Sequence, residues 1–315
     1  MTERTRALAI VGPTASGKAA LGLEVARRYG LPIFVCDSVK VYRGLDIGSA
    51  KPDAATRAAT DHRLLDLVDP NETFSAGDYA RAAWAELSAG DGRALFVGGT
   101  GFYLRAVGWT LSGSSNPALQ RGPDDPARET FDAGWMSREA HTEGAMHRAL
   151  HALDPELAES IHPRNLVRLL RALWLVEVHG GAVSQARKED PPRARLRLMM
   201  LVVDPGPEAL APRIGARLDR MLEAGFLAEV ETLRAAGYDG QTKAMRSLGY
   251  RQMLEVVEGR ATLEQAREAV AVATRQYAKR QRTFIKSQLP AEQIFTIANP
   301  AECPWPAIDR FLARP

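Results

Sequence analysis

Gly12-Pro13-Thr14-Ala15-Ser16-Gly17-Lys18 follows an apolar run, Ala7-Leu8-Ala9-Ile10-Val11, and precedes Leu21-Gly22-Leu23-Glu24-Val25-Ala26-Arg27, whose apolar spacing is helical. Strand, glycine-rich turn and helix is the context that makes G-x-x-x-x-G-K a phosphate-binding loop. Glycines let successive backbone N–H groups converge on an anion. The helix N-terminus adds its dipole and Lys18 adds a full charge. One position departs from the pattern. The loop normally closes with Ser or Thr, whose hydroxyl holds a magnesium ion, and Ala19 stands there. An ordinary glycine-rich turn is the competing reading, and the flanking strand and helix argue against it. The stretch predicts a phosphate or pyrophosphate grip with a weakened metal site.

Working outward, Pro32-Ile33-Phe34-Val35-Cys36 reads as a buried parallel strand that ends at Asp37-Ser38. Ligands of open α/β sheets sit beyond the carboxyl ends of strands. Asp37 therefore falls near the phosphate loop if the first two strands are neighbours. Its competing role is to cap a turn, which Asp often does. Residues 39–52 are glycine-broken and basic and read as a functional loop. Ser75, with Asp78 three residues on, predicts the N-cap of a helix reaching about Leu87. Ala94-Leu95-Phe96-Val97 is another buried strand, and Gly98-Gly99-Thr100-Gly101 after it gives Thr100 room to face a ligand.

Beyond Gly113 the pattern changes. Residues 113–117 and 121–126 are linker-like, and 126–186 are almost wholly helical in pattern. The strand pattern returns at 196–204. Helical periods follow at 208–224, 226–236, 243–258 and 262–288, and a last strand is expected at 294–298. The reading is an α/β fold: a P-loop NTPase-like parallel sheet flanked by helices, formed by residues 1–113 and 196–315, with an inserted all-helical domain over 114–195. His147 and His151 are four apart, but with no third ligand they read as a surface pair. Trp84, Trp109, Trp135 and Trp174 are assigned to packing.

At 315 residues and 45% apolar content the chain can build a proper core. No apolar run approaches membrane length. The N-terminus leads straight into the first strand without a signal pattern, so a cytoplasmic protein is expected. Two cysteines, Cys36 and Cys303, make neither a disulfide framework nor a zinc site. The net charge is only +3. Its distribution says more: Arg275, Lys279, Arg280, Arg282 and Lys286 interleave with Tyr277 and Phe284, and Arg164, Arg168 and Arg171 form a second cluster. Together they favour a polyanionic partner.

These stretches taken together resemble the tRNA dimethylallyltransferases, also called tRNA isopentenyltransferases. The matching residues are those from Gly12 to Lys18, Asp37-Ser38, the run from Val41 to Gly48, Ala50-Lys51-Pro52 and the run from Val97 to Gly101. They continue with Ile161-His162-Pro163, Arg168, Arg171-Ala172-Leu173, Gly249-Tyr250-Arg251-Gln252 and the run from Ala273 to Gln281. The resemblance covers nearly the whole chain in order. It implies attack by N6 of the adenine 3′ of the anticodon on dimethylallyl diphosphate, with pyrophosphate leaving. It implies that Gly12, Pro13, Thr14, Ala15, Ser16, Gly17, Lys18 and Arg217 hold the diphosphate, with Lys18 also catalytic. By the same resemblance Asp37 is the general base and Thr100 bonds near the reacting adenine. Asp37, Ser38, Val39 and Lys40, with Val167, Arg168, Leu169, Leu170 and Arg171, contact the tRNA anticodon stem-loop. The basic helix adds Arg275, Lys279 and Arg282 to that surface. Magnesium is the expected cofactor, with Ser16 its candidate ligand because Ala19 has no donor. A monomer is expected.

Two further departures stand out: Lys40 occupies a position where many members have Gln, and the helical insertion keeps few identities. Three other readings stay open at this level. A small-molecule P-loop kinase would use the same loop and Asp37 but has no need of the basic helix. An adenylate prenyltransferase should lack a large insertion. A catalytically weakened tRNA-binding relative draws its support from Ala19.

Overall fold

The computed structural model describes residues 5–90, 92–113, 115–120 and 125–313. Ser114 and residues 121–124 of the two linker-like stretches lie outside them. The described chain divides into two units, residues 1–108 with 195–315 and residues 109–194. The insertion thus begins at Trp109, earlier than the change of composition at 113 suggests. The paired entry and exit segments explain the difference. Trp109 bridges Ala194, the Thr110 N–H donates to the Arg193 carbonyl at 2.9 Å, and the Arg193 N–H returns to Thr110 Oγ1 at 2.8 Å.

The larger unit is built on one six-stranded, all-parallel sheet: β1 (Arg6–Val11), β2 (Ile33–Cys36), β3 (His62–Arg63), β4 (Ala94–Gly98), β5 (Arg197–Val203) and β6 (Gln293–Ile297), in the spatial order β3-β2-β4-β1-β5-β6. β1, β2 and β4 are continuous apolar runs because helices cover both sheet faces. Leu8, Ile10, Leu95, Met199 and Leu201 pack with Leu21 and Val25 of the Lys18–Tyr29 helix. β1 and β2 are not neighbours. β4 lies between them, so Asp37 stands two strands from the phosphate loop.

Register then decides the site. Val11 pairs with Gly98, Gly98 with Cys36, and Val11 with Val202. The residues that follow these strands, Gly12, Asp37, Gly99 and Asp204, emerge along one sheet edge. A Cβ on Gly98 would sit 2.0 Å from the Cys36 carbonyl oxygen, which is why the chain needs glycine there.

Ser75 caps the Ala76–Ala89 helix, and its reciprocal bonds with Asp78 complete the expected capping box. The helix expected over 243–258 is shorter, Tyr250–Val257. Ala244–Arg246 is a 3₁₀ turn, and Gly249 at φ 93° admits no helical continuation. Ala54–Ala59, Gly101–Gly108 and Trp305–Ala313 are further helices that sequence periodicity did not mark.

The smaller unit contains the helices Arg128–His141, Ala145–Leu153, Pro155–Glu159, Leu166–His179 and Val183–Glu189. Met146, Leu150, Leu157, Leu169, Leu173 and Val176 form its core. Asp154 is fully buried and joins two helix starts, accepting the Leu157 N–H at 3.1 Å and the Ser184 N–H at 2.8 Å. Trp174 is buried there, as expected. His147 contacts the Ala158 carbonyl through Nε2 at 3.2 Å and His151 is exposed. Among the described residues no group of three His, Cys, Asp or Glu side chains comes together that could hold a metal, and no helix is long and apolar enough to cross a membrane.

Candidate active site

The loop between β1 and the Lys18–Tyr29 helix winds through unusual backbone. Gly17 has φ 97° and Ala15, though not glycine, has φ 63°. The turn at Ala15 costs of order 1–3 kcal/mol, which the fold must offset elsewhere. Gly17 starts the helix without a side-chain cap, so the Lys18 and Ala19 N–H groups stay open to an anion, while the Ala20 N–H turns back to the Gly17 carbonyl at 3.1 Å. The Thr14 N–H is also taken. It donates to Gln281 Oε1 at 2.9 Å, while Gln281 Nε2 donates to the Gly99 carbonyl at 2.9 Å. One buried amide from the Leu263–Gln288 helix thereby fixes two of the sheet-edge turns. Gly99 is obligatory beside it, since a Cβ would lie 2.0 Å from Gln281 Nε2.

Lys18 Nζ donates to the Pro13 carbonyl at 3.0 Å. Burial, with the nearby Arg217 guanidinium, pushes its ammonium down to about 7. Lys40 is pushed down to about 8, again chiefly by burial, with Arg217 opposing and Asp37 favouring its charge. Burial lowers Arg217 as well. None of the three forms an ion pair with a carboxylate within 4.0 Å among the described residues, and Asp37 is the acid acting on all of them. Such a cluster is short of negative charge.

Asp37 takes the turn-capping part through one oxygen and leaves the other unused by the turn. Oδ1 caps the turn, accepting the Val39 N–H at 2.9 Å and the Lys40 N–H at 3.3 Å, and Oδ2 remains for another proton or charge. Thr100 Oγ1 accepts the Ser38 N–H at 3.1 Å, and the Thr100 N–H donates to the Cys36 carbonyl at 3.1 Å. The Tyr277 phenol, raised to about 12 by burial, lies against Thr100 and Gln281. A cavity of about 270 Å³ opens on this group; Thr14, Asp37, Arg217, Phe226, Gly249 and Tyr277 are among its walls. It is mixed in character, with charge at one end and Ile214, Met221 and Phe226 supplying apolar wall.

Glu229 builds another part of the wall. Its carboxylate accepts the N–H groups of Asp46, Ile47 and Gly48 at 2.9, 2.6 and 3.1 Å and the Tyr250 hydroxyl at 2.7 Å. Gly48 then packs against Phe226 so closely that a Cβ would approach the ring to 2.0 Å. Neither Glu229 nor Gln281 was legible as a site residue. Gln281 left one signal, a polar residue on the stripe of Ala278 and Ile285 that the helix buries. Glu229 left none.

Some expected residues lie elsewhere. Leu169 is fully buried and Leu170 packs on the same helical core, so their side chains hold the smaller unit together and do not face RNA. Val167, at 78% exposure, and Arg168 are open to solvent, and Arg171 is half-buried. Arg275 and Lys279 are exposed, whereas Arg282 is ion-paired to Asp204 at 2.7 Å and ties its helix to the end of β5.

Ser16 does not fit the metal role. It is fully buried, its Oγ has no hydrogen-bond partner, and it lies on the inner side of the loop, 2.9 Å from where a Gly12 Cβ would stand. Ala19 offers only a methyl. Thr14, half-buried on the cavity wall, is left as the loop's one side-chain hydroxyl open to a ligand.

A parallel sheet with a phosphate-type loop at its carboxyl edge, facing a half-apolar cavity, defines an α/β protein with a P-loop NTPase-like fold. The chain belongs to the IPP transferase family, whose model matches residues 40–288. It is 42% identical over 303 residues to a tRNA dimethylallyltransferase of Xanthomonas campestris pv. campestris, covering 92% of this chain and 89% of that protein. With a tRNA dimethylallyltransferase of Geobacter metallireducens it shares 40% identity over 293 residues, 90% of each chain. Among solved structures, the tRNA isopentenylpyrophosphate transferase of Bacillus halodurans aligns at 29% identity with a TM-score of 0.64, covering 98% of this chain and 95% of that one. A eukaryotic dimethylallyltransferase acting on tRNA shares the fold at 22% identity and a TM-score of 0.80, with 98% and 80% coverage.

Proposed function

We propose that this protein transfers the dimethylallyl group of dimethylallyl diphosphate to N6 of the adenine 3′ of the anticodon in tRNA. One observation carries the reading: a cavity with apolar walls is lined by Arg217 and by the single carboxylate Asp37, whose charge also acts on Lys18 and Lys40. That is a site for a group that leaves as an anion from an apolar fragment. The relatives' names supply the acceptor.

In the transfer step the adenine N6 lone pair forms a bond to the first carbon of the allyl chain. The carbon–oxygen bond breaks and its electron pair leaves with diphosphate, while the N6 proton passes to Asp37. Oδ2 of Asp37 is the oxygen without a turn to hold, so it takes the proton. Lys18, Arg217 and the open first-turn N–H groups stabilise the departing charge. Ile214, Met221 and Phe226 keep water from a carbon with allylic cation character. The anticodon loop suits such an enzyme because its bases can be splayed out. The exposed Arg168, Arg275 and Lys279 would follow the RNA backbone.

Incubation with dimethylallyl diphosphate and either bulk tRNA or AMP tests the reading. Prenyl transfer to tRNA with none to AMP is expected. Transfer to AMP alone would assign an adenylate prenyltransferase, and phosphoryl transfer from a nucleoside triphosphate would assign a kinase.

A further inference from the structure

Splaying the target adenine out of its loop breaks the stack on both sides, and the bases next to it lose a partner. A protein that takes such a substrate gains by offering a replacement surface beside the cavity. Phe102 is placed to be one. It is the only exposed aromatic side chain among the described residues, at 57%. A single exposed apolar residue is ordinary on a protein surface. Three observations set this one apart.

First, the ring is held from behind. It packs against Phe284 with ring centroids 4.4 Å apart. Phe284 rests in turn on the bare backbone of Gly101, where a Cβ would stand 2.4 Å from its ring. Arg105 Nη1 donates to the Gln288 carbonyl at 2.9 Å and ties the Gly101–Gly108 helix to the end of the Leu263–Gln288 helix. Second, the pair continues the helix face that borders the cavity. Tyr277, Gln281, Phe284 and Gln288 recur at three- and four-residue spacing, hence on one face. Tyr277 lines the cavity, Gln281 fixes the turns at Thr14 and Gly99, and Phe284 lies about 10 Å beyond Tyr277 along the helix. Phe102 itself follows Thr100 by two residues. Third, Arg280 stands between the two aromatics, three residues after Tyr277 and four before Phe284, which makes it a surface neighbour of both. Its guanidinium lies 5.8 Å from the Tyr277 ring centroid. It is exposed, and no carboxylate pairs with it among the described residues, unlike Arg282.

We infer that Phe102, backed by Phe284, is a stacking platform for an unpaired RNA base next to the adenine that enters the cavity, and that Arg280 holds the phosphate between the two. The order cavity, cation, aromatic pair along one helix face matches the order base, phosphate, base along one strand. Every base has a face to stack, so the platform adds affinity and fixes the loop without reading sequence. The inference rests on the proposed transfer to tRNA and adds a subsite to it.

The test is a double-mutant cycle on the binding of an unmodified anticodon stem-loop to the full chain, read by fluorescence anisotropy. The RNA is used intact and with an abasic nucleotide on the 5′ or the 3′ side of the target adenine. The proteins are the wild type, Phe102→Ala, Phe102→Trp and Arg280→Gln. Phe102→Ala should weaken binding to intact RNA by about fivefold to a hundredfold, the range of one base–aromatic stack. At one of the two abasic positions the wild type should lose a similar amount and Phe102→Ala nothing further. Phe102→Trp should keep the wild-type affinity, and Arg280→Gln should flatten the salt dependence by about 0.7 in the logarithmic slope. Phe102→Ala binding intact RNA as tightly as wild type overturns the inference. So does a loss that is equal on the intact and both abasic RNAs, which is what a merely misfolded variant would give. Either result, with the wild type still prenylating the stem-loop, leaves the prenyl-transfer reading standing. A wild type that neither binds nor modifies the stem-loop overturns both.

Discussion

Thr14 and Gln281 stand 267 positions apart and are joined by a 2.9 Å hydrogen bond from the Thr14 N–H to the Gln281 side-chain oxygen. The other end of the same amide holds the Gly99 carbonyl. The phosphate loop and the turn that carries Thr100 are therefore set by one residue of a distant helix. Gln281→Leu removes a donor and an acceptor together and strands two buried backbone groups, each worth about 1–3 kcal/mol. Denaturant unfolding should show a loss in that range, and the KM for dimethylallyl diphosphate should rise. Unchanged stability and KM would mean that the loop holds its shape without the bridge.

Glu229 supports the opposite wall. Its carboxylate gathers three consecutive N–H groups of the loop that lines the cavity, and Tyr250 completes its shell. Glu229→Ala leaves those donors to water and frees Gly48 from Phe226. A loss of about 2 kcal/mol or more in stability is expected, with a raised KM for the allylic substrate and a smaller change in tRNA affinity. A variant with wild-type KM would remove Glu229 from the support of the site.

Proton linkage reaches the lysines. Lys18 and Lys40 sit at about 7 and about 8 in the folded protein, below the ordinary 10.5. Between those folded values and 10.5 the unfolded chain binds more protons, so these two groups raise stability as pH climbs through that window. Below it they are charged in both states, and their cost to the folded state is full. A bound diphosphate reverses the cost by holding both ammonium groups charged. The increase in Tm caused by pyrophosphate should therefore be larger at about pH 7 than at about pH 9. An increase that grows with pH contradicts the assignment.

The basic helix divides into two kinds of arginine and lysine. Replacing exposed Arg275 and Lys279 by Ala should weaken tRNA binding and flatten its salt dependence, by about 0.7 in the logarithmic slope for each phosphate that is no longer neutralised. Arg282→Ala breaks the pair with Asp204 and should appear in the melting temperature instead. If Arg275 and Lys279 leave the slope unchanged, that face is merely solvated.

Much of this was legible in the chain because strong local signals coincide with function. The run from Gly12 to Lys18 is strand-flanked, Cys36-Asp37 ends an apolar run, and Gly98-Gly99-Thr100-Gly101 ends another. All three are features of strand ends, and a parallel sheet brings strand ends together. Strand order carries no such local signal, so β4 between β1 and β2 had to come from the register of Gly98 with Cys36 and Val11. The two-residue β3 is too short for any period to mark. Leu169 and Leu170 show the opposite failure. A motif spans consecutive residues, while a helix turns some of them inward, so a run of five on one helix cannot all face a partner. Long-range partners such as Glu229 with residues 46–48 are invisible until the chain is folded, because one carboxylate looks like any other on an exposed helix.

The central claim is that Asp37 removes the N6 proton as the allyl group arrives on tRNA. It is tested most directly by single-turnover transfer from dimethylallyl diphosphate to an unmodified tRNA transcript, for wild type and Asp37→Asn side by side. Mass spectrometry of nuclease fragments locates the product. Asn keeps an oxygen for the Val39 and Lys40 N–H groups, so the turn should survive and tRNA should bind as before. The predicted result is a dimethylallyl group on the adenine 3′ of the anticodon in the wild type, with the rate of Asp37→Asn lower by about 10²–10⁴. A variant retaining more than half of the wild-type rate, or a wild type that leaves that adenine unmodified, would contradict it.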